Sequence, residues 1–130
     1  MFAMINKGNN MKKAIIGIMP RDKFRQRTLD IAAGKYKPKK GEPKIWFSSM
    51  KSLSEVLSDK NMQLLRIIAK EKPESIKELA TISGRQSSNL SRTLKTFESY
   101  GFVKMVSQGS SNAKKPVIQA TDFNIQAAVL

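Results

Sequence analysis

SIKELATISGRQSSNLSRTLKTFESYGFVK, running from Ser75 to Lys104, decides how this chain is read. It opens on Ser-x-x-Glu at Ser75 and Glu78. In that pattern a hydroxyl and a carboxylate satisfy the first free amides of a helix. Ile76, Leu79, Ala80 and Ile82 follow at helical spacing, and Ser83-Gly84 ends the run. A second helix, spanning 86–99, starts near Gln86 and turns Leu90, Leu94 and Phe97 inward at i, i+4 and i+7. The same spacing leaves Ser87, Ser88, Asn89, Ser91, Arg92 and Lys95 outside or at its N-terminal end. Ser, Asn and Thr are mediocre helix formers, and a helix that merely faced water would favour Glu and Lys. Short hydroxyl and amide side chains at a helix N-terminus suit phosphate oxygens and base edges, and the free amides there favour an anion.

On the upstream side, Ser58 is placed to cap a helix whose Met62, Leu64, Leu65, Ile67, Ile68 and Ala69 make a broad apolar face, closed by Pro73. Three short helical units, with a glycine turn between the second and third, have the layout of a helix-turn-helix. Downstream, Phe102 to Val106 and Pro116 to Thr121 read as two strands of a hairpin with a Gly/Ser/Asn tip and Lys114-Lys115 at its base. Phe123, Ile125, Ala127 and Val129 alternate as in a last short strand.

The N-terminal third differs in character. Residues 1–11 show no periodicity and read as a disordered leader. Lys12 to Met19 suits a short Ile-rich strand, and Pro20 opens a helix from Arg21 to Ala33 that stops at Gly34. Its Phe24, Thr28 and Ile31 share a face, while Arg21, Lys23, Arg25 and Arg27 stay outside. Lys35 to Lys44, with five lysines, two prolines and a glycine, reads as an extended linker. KIWF is then a short strand, with Trp46 and Phe47 in a core or dimer interface. A helix carrying Met50, Leu53, Val56 and Leu57 on one side follows it.

Composition narrows the function. The chain has 130 residues, 40% of them hydrophobic, which is enough for a real core, and a formal charge of +14. Residues 1–44 hold twelve Lys/Arg against three acids and 45–130 hold twelve against seven, so the excess is concentrated at the N-terminal end. Such an excess points to a polyanionic or acidic partner. The sequence contains neither Cys nor His, which removes disulfides, thiol chemistry and the commonest general base and metal ligand. The ten acids are scattered, with no carboxylate cluster of nuclease type, so no enzyme, cofactor or metal is expected. The apolar run Ala14 to Met19 is too short for a signal peptide or membrane span, and a cytoplasmic location follows by default.

Ser75 to Lys104 resembles the second helix, turn, recognition helix and first wing strand of winged helix-turn-helix regulators of the MarR/ArsR kind, with Ser91-Arg92 and the YGFV exit at Tyr100 to Val103 as the most specific matches. The likeness covers roughly Ser58 to Thr121. From Lys12 onward, the N-terminal strand and basic helix, the KIWFSS strand and the following domain resemble a family of small regulators encoded beside TumE-type toxins. That resemblance implies an antitoxin that binds DNA to autoregulate its operon and neutralises a cognate toxin by direct contact.

The expected fold is therefore α+β. A strand-helix-strand extension over 12–47, serving dimerisation or partner binding, precedes a winged helix-turn-helix domain over 48–130. The expected function is sequence-specific binding of double-stranded DNA by a homodimeric transcriptional regulator. Candidate contacts are Arg85, Gln86, Ser87, Ser88, Asn89, Ser91, Arg92 and Lys95 on the recognition helix, and Ser110, Asn112, Lys114 and Lys115 on the wing. The alternative is a protein-interaction or RNA-binding winged module without operator specificity, in which the N-terminal lysines matter more than helix 86–99.

Overall fold

Ile-rich β1 (Lys13–Ile18) is the middle strand of a three-stranded parallel sheet in the computed structural model, which describes residues 12–109 and 112–128. The leader at 1–11, Ser110 and Val129 lie outside the described residues. On one side β1 pairs with β2 (Ile45–Phe47), and on the other with the C-terminal β5 (Asp122–Ala127) from Lys13↔Asp122 to Ile18↔Ala127. Parallel neighbours need a crossover. The first is α1 (Arg21–Ala32); the second is all the chain between β2 and β5. Thus the strand-helix-strand of 12–47 shares one sheet with the last strand of the protein.

The two faces of this sheet are filled differently. Ala14, Ile16, Ile18, Ile45, Phe47 and Phe123 join the main core, with Ile16 fully buried. Gly17 and Trp46 pair in the ladder on the other face, under α1. There Phe24 meets the Trp46 ring at 6.4 Å between centroids, and the Arg27 guanidinium sits 5.0 Å from it. No residue of α1 is buried, and Leu29 is 53% exposed.

The middle of the chain supplies α2 (Met50–Val56), α3 (Asp59–Glu71), α4 (Ile76–Ser83), α5 (Ser87–Tyr100) and an antiparallel hairpin of β3 (Val103–Ser107) and β4 (Lys114–Ile118). With α1, that makes five helices and two small sheets among the described residues, a mixed α+β fold. Leu64, Leu65 and Ile68 of α3, Leu79 of α4, and Leu90, Leu94 and Phe97 of α5 form the centre of the core.

The helix starts follow the expected chemistry. Ser58 accepts from the Asn61 amide at 3.2 Å, and Ser75 accepts from the Glu78 amide at 3.0 Å. Glu78 does not close the box on Ser75; its carboxylate accepts from the Glu74 amide at 2.9 Å, one residue earlier. Met50 and Ile82, read as core-facing from their spacing, are instead 56% and 41% exposed. Met50 is the first residue of α2, and Ile82, at the end of α4, lines a cleft with α3 and the start of α5. Among the described residues no helix is long and apolar enough to cross a membrane.

Candidate functional site

Burial of Leu90, Leu94 and Phe97 fixes the rotation of α5 and leaves Gln86, Ser87, Ser88, Asn89, Ser91, Arg92 and Lys95 exposed. The turn before it needs Gly84, which takes φ +74°, a left-handed conformation that costs an L-residue with a side chain roughly 1–2 kcal/mol. The N-cap residue Gln86 gives α5 no side-chain cap.

A groove of about 420 Å³ separates α5 from the hairpin. It gathers Ser91 and Lys95 of α5 with Asn112 and Lys114 of the hairpin, and adds Lys77 from the first turn of α4. Glu98 is the carboxylate on its wall. Its Oε2 accepts from the Met105 amide at 3.4 Å, which ties α5 to the hairpin. Helical period and composition do not point to Lys77, because its nearness to α5 is a matter of tertiary packing. Three lysines among the residues lining one groove suit a chain of phosphates or another polyanion.

The other expected residues are distributed around this groove. Arg92 is exposed on α5 and does not line it. Lys115 turns to Glu74, 3.2 Å away, and Gln108 donates to the same carboxylate at 3.0 Å, so this pair braces the hairpin against the start of α4. Arg85, Gln86 and Asn89 line a second cleft of about 630 Å³, with Lys60 of α3 opposite. Arg85 is only half-exposed, and its guanidinium donates to Asn89, Asn61 and Thr93.

The lysine-rich segment 35–44 is organised around its lone acid. Glu42 accepts from the Tyr36 hydroxyl, from Arg27 Nη2 at 2.7 Å and from the Lys39 amide at 3.1 Å. Those donors, the Tyr36 hydroxyl first, hold the Glu42 carboxyl down at about 2, and the same contact raises the Tyr36 phenol. The segment therefore folds back onto α1 with Lys35, Lys37, Lys39, Lys40 and Lys44 outward. A carboxyl whose folded value is depressed contributes stability above its unfolded value, and loses it as pH falls through the folded one. Thermal melts should fall as pH drops from about 4.3, the ordinary glutamate value, to about 2. Glu42→Gln should flatten that part of the profile; equal slopes would rule Glu42 out as its source.

The fold and site thus define a basic α+β protein whose exposed, polar helix is flanked by two clefts. Residues 56–125 match the HVO_A0114 family, and the chain belongs to it. The match begins at the end of α2 and runs through α3, α4, α5 and the hairpin into β5, leaving β1, α1 and β2 outside it. No curated protein matches the chain.

Proposed function

We propose that this protein is a sequence-specific double-stranded DNA-binding transcriptional regulator of winged helix-turn-helix type. In this reading α4 and α5 are the helix-turn-helix and β3–β4 is the wing. The observation that carries it is the composition of α5: one face sealed in the core, the other a run of short polar and cationic side chains beside a groove lined by Lys77, Lys95 and Lys114. The α5 helix enters the major groove, and the hairpin lies over the adjacent backbone or minor groove. The lysines supply salt-dependent affinity, and the α5 side chains supply discrimination.

Reading a two-fold operator needs a homodimer. The exposed apolar side chains of α1, Phe24 and Leu29, favour protein contact in the N-terminal third, either with a second copy or with the toxin that the resemblance implies. The chain then acts as the antitoxin that represses its own operon.

Gel-shift titration tests this on the duplex upstream of the gene, against scrambled duplex and single-stranded RNA, at two salt concentrations. Arg92→Ala should weaken specific binding by about 1–3 kcal/mol, the worth of one good base contact. The Lys77→Ala/Lys95→Ala/Lys114→Ala variant should lower the salt slope by about 0.9 for each phosphate it no longer neutralises. Equal binding to every nucleic acid, unmoved by Arg92→Ala, would overturn the reading.

A further inference from the structure

A polarised chain of hydrogen bonds crosses the base of α5. Asn61 donates through Nδ2 to the Val56 carbonyl at 3.0 Å, at the end of α2. Its Oδ1 accepts from Arg85 Nη1 at 3.3 Å. On its other side Arg85 donates to Asn89 Oδ1 twice, from Nε at 2.9 Å and Nη2 at 2.7 Å, and Nη2 also reaches Thr93 Oγ1 at 3.2 Å.

The chemistry of the guanidinium sets the direction of this chain. Arginine has five donors and no acceptor, so the atom each asparagine turns toward Arg85 must be its oxygen. One edge of the Arg85 guanidinium gives both of these bonds, so Asn89 Oδ1 is turned toward Arg85 and already accepts two hydrogens. What the exposed Asn89 side chain has left for a partner is its Nδ2 amide, a donor only. An asparagine usually reads adenine bidentately, accepting from N6 and donating to N7. For Asn89 the accepting half competes with the two bonds that Arg85 already makes to its oxygen, and the oxygen is turned away toward the guanidinium. Guanine presents two acceptors in the major groove, N7 and O6, and suits a donor-only amide.

We infer that Arg85 is a specificity-positioning residue which, by holding the Asn89 oxygen, makes Asn89 favour guanine over adenine. This rests on the DNA-binding reading above and names the base preference of one α5 side chain. Arg85 itself need touch no base; it acts through Asn89, and Asn61 with Thr93 holds the guanidinium in place.

Selection of bound sites from a randomised duplex library tests this with the full chain. Asn89→Ala identifies the position concerned as the one whose preference disappears. At that position the wild type should favour guanine over adenine by about 10-fold or more. Arg85→Met frees the oxygen and should move the preference to adenine while leaving other positions unchanged. Asn89→Asp keeps Arg85 and presents only an acceptor, so guanine should give way to a base with a major-groove donor, cytosine through N4 or adenine through N6. This surface change provides the test even where Arg85→Met fails to fold.

Adenine in the wild-type site, or guanine retained in both variants, overturns the inference and leaves DNA binding intact. So does an Asn89→Ala protein that selects the wild-type site. A library that yields no preferred site from any of the proteins overturns the DNA-binding reading itself, and the inference with it.

Discussion

Phe102→Ala is expected to lower the unfolding free energy by about 3–5 kcal/mol, the range for truncating a fully buried aromatic ring. Phe102 has no exposed surface and meets three other rings. Its centroid lies 6.2 Å from Phe97, 5.7 Å from Tyr100 and 5.0 Å from Phe123. Tyr100 stacks in turn on Phe47 at 4.7 Å. This ring thus joins the end of α5 directly to β5, with Tyr100 carrying the stack on to β2, so its loss opens a cavity between α5 and β5. The backbone around it offers little room to collapse: the Phe102 amide donates to the Phe97 carbonyl at 2.9 Å, and its carbonyl accepts from Gln119 at 2.8 Å. Denaturant unfolding should show a lower midpoint with an unchanged slope. Phe24→Ala, at a site 39% exposed, should cost far less, because much of that ring's surface is never taken from water. Similar losses for the two variants would mean that the ring cluster does not join these elements.

Gly17→Ala is the second large effect, and its sign depends on one contact. Inside a strand, alanine is favoured over glycine by about 0.5–1 kcal/mol on backbone entropy. At Gly17, however, an added Cβ would lie 2.4 Å from the Trp46 ring and 2.9 Å from Pro43. Neither neighbour is a flexible end that can swing aside. Trp46 is held by Phe24 and Arg27, and Pro43 is buried beside Glu42. Overpacking of this kind costs about 1–3 kcal/mol, which exceeds the entropic gain. Because the chain has a single tryptophan, its fluorescence should report the displaced ring directly. An alanine variant as stable as the wild type, with unchanged emission, would show that Trp46 does not pack on the β1 backbone.

Much of the middle of the chain is legible in the sequence because its signals are local. The Ser58 and Ser75 caps, the Gly84 turn and the inward row Leu90, Leu94 and Phe97 each depend on residues within a turn or two of one another. Local spacing fails at Ile82, which has the right period yet lines the cleft below Arg85 rather than the core. It fails also at residues 35–44, whose composition reads as a linker. Glu42 gathers that segment through Arg27, fifteen positions away, and a composition count has no means of weighing one carboxylate against five lysines.

The α5 side chains follow the same division. That Ser91, Arg92 and Lys95 face outward follows from helical period alone. That Lys95 shares a groove with Lys77 and Lys114, that Lys115 turns away to Glu74, and that Asn89 has its oxygen held by Arg85 required the packed molecule.

By itself, then, the sequence determined the helices, their caps and turns, the hairpin strands and the polar character of α5, since these rest on periods of two and 3.6 residues and on short-range hydrogen bonds. Only the tertiary structure decided that β5 pairs with β1, that Trp46 lies over Gly17, and that Arg85 reaches back to Asn61 on α3. Those contacts join residues far apart in the chain. They depend on how whole elements pack against one another, and no local pattern encodes that packing.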